Sequence, residues 1–125
     1  MKTILIVDDD KNLRSLYRKE LEAEGYRTIP AANGKEALAA VTAELPDLVV
    51  MDIRMPELDG LEAMAQILRE HGRVPVLLNT AYANYQDSFL AWAAEGYLIK
   101  SSDLGPLKNK IREILEKQPS PQLSK

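Results

Sequence analysis

Short apolar runs alternate along the chain with longer stretches in which apolar residues recur every three or four positions. Uninterrupted apolar runs of this length are typical of strands covered on both faces, and the longer spacing is typical of amphipathic helices. The alternation therefore predicts an α/β protein, a parallel sheet of five strands with crossover helices. The predicted strands are residues 3–7, 26–31, 47–51, 75–79 and 97–99.

The first, second, third and fifth predicted helices have apolar residues on one face, with charged residues between them. The first ends at Gly25, the second opens at the Asn33-Gly34 turn and ends before Pro46, and the fourth covers residues 85–94. The residues expected to face the core from the first, second, third and fifth helices are Leu13, Leu16, Tyr17 and Leu21; Ala37, Leu38, Val41 and Leu45; Leu61, Met64, Ile67 and Leu68; and Leu104, Leu107, Ile111, Ile114 and Leu115.

The length of 125 residues fits one compact domain, which we expect over residues 1–117, with residues 118–125 as a flexible tail or truncated linker. A net charge of -3 argues against direct binding to nucleic acid. The chain has no Cys and a single His, which excludes a disulfide framework and a zinc site. Because the N-terminus has no signal-like or membrane-spanning apolar stretch, we expect a cytoplasmic protein without membrane insertion.

Polar residues follow four of the predicted strands at the point where each strand ends. These residues are Asp8 and Asp9, then Asp52, Thr80 and Lys100. The carboxyl ends of parallel strands share one edge of the sheet, where reactive groups gather. Carboxylates that meet there repel each other unless a cation neutralises them, and Mg²⁺ prefers such oxygen ligands. With the metal and a nearby lysine, one of these carboxylates could accept a phosphoryl group.

Four segments carry a resemblance to the receiver domain of two-component response regulators: residues 4–10 (ILIVDDD), 49–60 (VVMDIRMPELDG), 79–81 (NTA) and 97–100 (YLIK). The resemblance covers about residues 3–117. It implies a flavodoxin-like fold with five parallel strands in the order 2-1-3-4-5. Pro30 independently favours an edge position for the second strand, because proline cannot donate to a sheet ladder.

The resemblance also implies the cofactor, Mg²⁺, and its ligands. Asp9 would bind the metal directly, Asp8 would act largely through water, and the backbone carbonyl of Arg54 would complete the set of protein ligands. Asp52 would be both a metal ligand and the phosphoacceptor. Asp10 we expect only to cap the first helix.

The family's switch residues match Thr80 and Tyr97, and its phosphoryl-binding lysine matches Lys100. A sensor histidine kinase would donate the phosphoryl group. The modification would change the surface around the predicted fourth helix, fifth strand and fifth helix, which would bind a downstream protein partner or an output domain, or form a homodimer. The resemblance thus implies a signalling switch that takes part in its own phosphorylation and dephosphorylation, not an enzyme.

The chain departs from the receiver pattern after Lys100, where Ser101 replaces the usual proline of a cis peptide. Because a cis bond without proline costs about 2.5–4 kcal/mol, we expect a trans bond and a less rigidly held ammonium group. The connection between Thr80 and Lys100 is also short, so the predicted fourth helix could be displaced.

The same connection carries an aromatic stripe, Tyr85, Phe89 and Trp92, while Leu90, Ala93 and Ala94 lie on another stripe. Only one stripe of a helix can face the sheet. We therefore expect the aromatic stripe to be at least partly exposed and to form an interface, the alternative being that the short connection buries it.

Three other functions share parts of this pattern. An aspartate-nucleophile phosphatase commonly has a second Asp two residues after the nucleophile, where this chain has Arg54. A flavin-binding module is disfavoured because the acids after the first strand would repel its phosphate. The main alternative is a pseudo-receiver, a protein-binding module that acts without phosphorylation and is supported only by Ser101.

Overall fold

The computed structural model describes residues 1–117, and the predicted α/β architecture is confirmed there. Five parallel strands lie in the order β2-β1-β3-β4-β5, the order of the flavodoxin-like fold. The strands are β1 (Thr3–Val7), β2 (Arg27–Ala31), β3 (Leu48–Met51), β4 (Val76–Thr80) and β5 (Gly96–Ile99). The helices are α1 (Lys11–Ala23), α2 (Gly34–Ala43), α3 (Gly60–Glu70) and α4 (Gly105–Lys117).

Two apolar clusters, one on each face of the sheet, form the core. One cluster joins the sheet to α2 and α3, and the other joins it to α1 and α4. Every residue of β1 and β3 is buried, as the uninterrupted apolar runs predict. β2 lies at an edge, where Pro30 pairs with Ile6 and needs no N–H toward a further strand.

Two residues predicted to face the core do not do so. Leu45 is 57% exposed because α2 already ends at Ala43, so its side chain lies beyond the helical face. Leu16 is 41% exposed. Its neighbour Tyr17 points into the core, and successive helical residues are rotated by about 100°, which places Leu16 on the flank of α1.

The predicted fourth α-helix is wrong. The connection between β4 and β5 instead contains two 3₁₀ turns, Ala83–Tyr85 and Leu90–Ala93, whose hydrogen bonds span three residues, as from Ala91 N–H to the Ser88 carbonyl. An α-helix could have turned only one apolar stripe toward the sheet. The two short turns bury Ala91 and half-bury Tyr85, and the last predicted helix is therefore α4.

The 3₁₀ turns leave two large aromatic side chains exposed. Phe89 is 80% exposed and Trp92 71% exposed, with their ring centroids 6.0 Å apart, whereas Tyr85 packs partly against the core. The expected exposure of the aromatic stripe therefore holds for Phe89 and Trp92.

Trp92→Ala should change the free energy of unfolding by less than about 0.5 kcal/mol, because an exposed side chain contributes little apolar burial. Urea denaturation measures this change. Leu78→Ala, at a fully buried position of β4, is the matched control and should cost about 2–5 kcal/mol. A loss from Trp92→Ala as large as that of the control would show that the connection buries the ring.

Helix caps fix the backbone next to the strand ends. The Asp10 side chain accepts hydrogen bonds from the N–H groups of Asn12 and Leu13, which confirms its predicted capping of α1. Asp103 accepts from the N–H of Gly105, the first residue of α4. Among the helices of residues 1–117, none is long and apolar enough to cross a bilayer.

Candidate functional site: an acidic cluster with one lysine

The side chains that the sequence places after the strands meet at the carboxyl edge of the sheet. Asp8, Asp9 and Asp52 each have a carboxylate oxygen within 4.8 Å of the others. Asp8 and Asp52 are buried and Asp9 is exposed, so the cluster opens toward solvent on the side of Asp9. Thr80 is the last residue of β4, and Lys100 directly follows β5.

Lys100 bridges the two buried carboxylates. Its Nζ lies 2.8 Å from Asp8 Oδ2 and 3.1 Å from Asp52 Oδ2. The second oxygen of each carboxylate accepts a backbone N–H: Asp8 Oδ1 from Asp10 at 2.9 Å, and Asp52 Oδ1 from Ile53 at 2.8 Å. Each carboxylate group therefore has a contact at both of its oxygens, and these contacts fix the orientation of the carboxylate plane.

Burial and ion pairing shift the pKa values of Asp52 and Lys100 in opposite directions. Burial raises the pKa of Asp52, and the hydrogen bond and charge of Lys100 only partly oppose it. For Lys100, burial lowers the pKa, but the hydrogen bonds and charges of Asp8 and Asp52 together outweigh burial and raise it. Lys100 therefore remains a cation, while the charge on Asp52 is poorly compensated.

The peptide bond between Lys100 and Ser101 is trans, as predicted, and no cis peptide bond occurs in residues 1–117. The ammonium group is nevertheless well placed, because it contacts two carboxylates and its side chain is only 16% exposed. The absence of the usual proline therefore has not moved the lysine out of the site.

The donor set fits a hard divalent cation. One oxygen of each of the three carboxylates lies within 4.8 Å of the others, yet Lys100 supplies only one positive charge against them. Clustered carboxylate oxygens with an open side suit Mg²⁺, which keeps several of its waters. The residues that would hold it are Asp8, Asp9 and Asp52.

The two predicted switch residues both bond to the backbone of Tyr82, one at its N–H and the other at its carbonyl. The buried Thr80 Oγ1 accepts from the Tyr82 N–H at 3.4 Å, a long and weak hydrogen bond. The Tyr97 hydroxyl donates to the carbonyl of Tyr82, and burial raises the pKa of that hydroxyl. Thr80 and Tyr97 are thus linked through Tyr82, which the sequence marks only by its position two residues after Thr80.

A cleft of about 480 Å³ opens beside the acidic cluster. Asp9, Arg54, Tyr82 and Tyr85 are among the residues that line it. The Arg54 guanidinium lies over the Tyr82 ring, 4.7 Å from the ring centroid, so this side chain points across the cleft. The sequence predicted a role only for the carbonyl of Arg54 and did not predict this stacking.

The loop after β3 is held against the start of α3. The N–H of Gly60 donates to the Ile53 carbonyl at 2.7 Å, and Asp59 caps α3 through the N–H of Glu62. Gly60 is so close to the loop that an added Cβ would lie 1.9 Å from the Asp52 carbonyl oxygen. The backbone of Asp52 can therefore hold its position only because residue 60 is a glycine, which has no Cβ.

Asn79 is a buried polar residue for which the sequence pattern predicts no functional role. An amide directly after three apolar residues of β4 was a visible signal, but its partner lies 62 positions away in α1. That partner is Tyr17, predicted only as a core residue.

Comparison with known proteins identifies the family of this arrangement. Residues 4–112 match the response regulator receiver domain family. The chain is 36% identical over 125 residues to the probable transcriptional regulator ycf27 of Cyanophora paradoxa, with 98% of this chain and 52% of that protein covered. The chain spans about half, or less, of the length of the curated relatives it matches.

Two solved structures of the response regulator protein TrrA are also similar. One, from Thermotoga maritima in complex with Mg²⁺-BeF, has a TM-score of 0.89 and 40% identity, with 91% of this chain and 99% of that chain covered. The other, TrrA in complex with the histidine kinase ThkA, has a TM-score of 0.86 and 41% identity, with 92% and 99% covered.

Proposed function

The chain belongs to the response regulator receiver domain family, and from that premise we propose that it is a phosphoacceptor switch, phosphorylated on Asp52 by a sensor histidine kinase in the cytoplasm. The observation that carries the proposal is the bridge from Lys100 to Asp8 and Asp52 beside the exposed Asp9. Such a site has an oriented carboxylate nucleophile, a fixed cation and room for a metal. The TrrA complexes with Mg²⁺-BeF and with ThkA support both the chemistry and the donor.

In the proposed reaction, a carboxylate oxygen of Asp52 forms a bond to phosphorus while the bond from phosphorus to the donor breaks. The donor leaves with the electron pair of that bond, and the product is an acyl phosphate. The Ile53 N–H holds Oδ1 of Asp52, and Lys100 lies at Oδ2, where it can neutralise the phosphoryl oxygens. Bound Mg²⁺ would supply further positive charge at these oxygens.

Thr80 and Tyr97 would transmit the effect of phosphorylation at Asp52 to the protein surface. The Thr80 hydroxyl is only weakly held by the Tyr82 N–H and can turn toward a phosphoryl oxygen. Because Tyr97 bonds to the carbonyl of the residue whose N–H bonds to Thr80, movement of Thr80 would disturb the connection from β4 to β5. Phosphorylation would thus act as a local charge change that biases the conformation of a surface segment.

The downstream partner would bind this altered surface, which includes Phe89 and Trp92 as well as β5 and α4. A protein partner, an output domain or a second copy of the chain would fit this role. The output would be binding and not turnover, and the chain's only reaction would be the gain and loss of its own phosphoryl group. The net charge of -3 disfavours direct contact with nucleic acid.

Intact mass spectrometry after incubation with acetyl phosphate and Mg²⁺ tests the proposal. The native chain should gain the mass of one phosphoryl group, and Asp52→Asn should gain none. The matched control is Asp59→Asn, which changes another acid at the cleft but keeps a side chain that can cap α3. It should gain mass like the native chain.

A native chain that gains no mass from acetyl phosphate or from a phosphorylated histidine kinase would contradict the proposal. That result would favour the alternative, a pseudo-receiver that binds partners without phosphorylation. The intact Lys100 bridge argues for the phosphoacceptor, because the departure at Ser101, which was the support for the alternative, has not displaced Lys100.

A further inference from the structure

Tyr17 of α1 and Asn79 of β4 form a buried polar pair within an apolar cluster. The Asn79 Nδ2 donates to the Tyr17 hydroxyl oxygen at 3.2 Å, and both residues are at least 96% buried, with exposures of 2% and 4%. The surrounding cluster is apolar and packs the sheet against α1 and α4. Burial of polar groups at such a place is unfavourable unless they bond to each other.

The pair lies on the same face of the sheet as the acidic site. Asn79 pairs with Leu98 across the ladder between β4 and β5, and Lys100 follows Leu98 by two residues. Side chains two residues apart share a face, so Asn79 and Lys100 lie on one face. Asp8 and Asp52 each lie two residues beyond a member of the cluster under α1 and α4, and therefore on this face too.

Lys100 must cross the end of β4 to reach the site. It follows β5, whereas Asp52 follows β3, and β4 lies between these strands. Neighbouring strands are about 4.8 Å apart, so the lysine side chain spans β4 on the face that carries Asn79. The charges of Lys100, Asp8 and Asp52 all influence the Tyr17 hydroxyl, whose pKa is raised mainly by burial.

The pair is not held by close packing on every side. Tyr17, Asn79 and Ser101 help to line a small cavity of about 40 Å³. Where packing leaves such a space, the hydrogen bond between the two side chains fixes their positions. Ser101, in its trans peptide, supplies none of the ring rigidity of a proline after Lys100.

We propose that the Tyr17–Asn79 pair supports the Lys100 side chain on the sheet face that packs against α1 and α4. The pair would thereby position the ammonium group of Lys100 between Asp8 and Asp52. Tyr17 and Asn79 are positioning residues: they act through Lys100 and do not touch the phosphoryl group. This inference rests on the proposed phosphoacceptor function.

Tyr17→Phe tests the inference, because it removes one hydroxyl and leaves the Asn79 amide without its acceptor. Phosphorylation by acetyl phosphate at saturating Mg²⁺ should slow by up to about 100-fold, the loss that a misplacement of about 1 Å in a reacting site can cause. In a Lys100→Ala background the same substitution should have no further effect on the rate. Tyr26→Phe, in the same cluster but before β2 at the opposite end of the sheet, is the control and should leave the rate unchanged.

The Kd for Mg²⁺, measured by calorimetry without any phosphodonor, gives an independent readout. Lys100 competes with the metal for Asp8 and Asp52, so a displaced ammonium should tighten Mg²⁺ binding while it slows phosphorylation. A general destabilisation of the fold would instead weaken Mg²⁺ binding and also slow phosphorylation. Tyr17→Phe should therefore lower the Kd in the native background and leave it unchanged with Lys100→Ala.

An equal slowing of phosphorylation in both backgrounds, or a Kd for Mg²⁺ that does not fall, would overturn the positioning role. If the native chain is not phosphorylated at all, the proposed function fails, and the Kd measurements still decide whether the pair positions Lys100. Should Tyr17→Phe not fold, Asn79→Leu in the same two backgrounds removes the other half of the pair and has the same expected outcomes.

Discussion

Gly60→Ala should lower the free energy of unfolding by about 3 kcal/mol or more, at or above the upper end of what overpacking a buried site usually costs. The new Cβ would lie 1.9 Å from the Asp52 carbonyl oxygen and 2.8 Å from its carbonyl carbon. Both are backbone atoms, so no side-chain rotation relieves the clash. Gly60 is also tied to Ile53 through its N–H, and the loop cannot move away without losing that hydrogen bond.

Urea denaturation at neutral pH measures this loss, and Gly105→Ala is the matched control. At Gly105 the added Cβ would meet only the Asp103 side chain, at 3.1 Å, which can move. A Gly60→Ala variant as stable as the control would contradict the account of the loop. Any folded fraction of Gly60→Ala should also be phosphorylated poorly, because relief of the clash displaces Asp52.

Lys100→Ala should lower the free energy of unfolding by about 3 kcal/mol at neutral pH, because it leaves two buried carboxylates without their cation. The penalty should shrink as the pH falls. Burial already raises the pKa of Asp52 in the folded chain, and loss of Lys100 removes the opposing effect and raises it further. The folded variant then binds a proton more tightly than the unfolded chain, so stability is retained at low pH and lost as the pH rises through the folded pKa.

Mg²⁺ should stabilise Lys100→Ala more than it stabilises the native chain, because the metal replaces the missing charge. Denaturation at about pH 5 and about pH 7, each with and without Mg²⁺, measures both effects. Lys35→Ala, which removes only an exposed partner of Glu57, is the control and should change little. A penalty for Lys100→Ala that is independent of both pH and Mg²⁺ would contradict the role of Lys100 as the counter-cation.

Local sequence signals were sufficient to predict the sheet and the acidic cluster. Uninterrupted apolar runs mark β1 and β3 as central strands, and Pro30 marks β2 as an edge. Because strand ends in a parallel sheet share one edge, Asp8 and Asp52 meet although 44 positions separate them. These predictions depend on features that each segment carries by itself.

The errors arose where tertiary contacts decide between local alternatives. The connection from β4 to β5 has helical spacing, yet two 3₁₀ turns bury Ala91 and leave Trp92 exposed. Leu45 continues the apolar pattern of α2, but the helix ends before it. The hydrogen bond between Tyr17 and Asn79 joins residues 62 positions apart. The periodicity of neither segment indicates that these two residues are partners.

Reduction of the phosphorylated chain with borohydride would test the central claim most directly, because it marks the residue that carried the acyl phosphate. The reagent converts an aspartyl phosphate to homoserine, and peptide mass spectrometry locates the change. After phosphorylation with acetyl phosphate and Mg²⁺, we expect homoserine at position 52 and aspartate at positions 8 and 9. Homoserine at position 8 or 9, or at none of the three, would contradict the assignment of Asp52 as the phosphoacceptor.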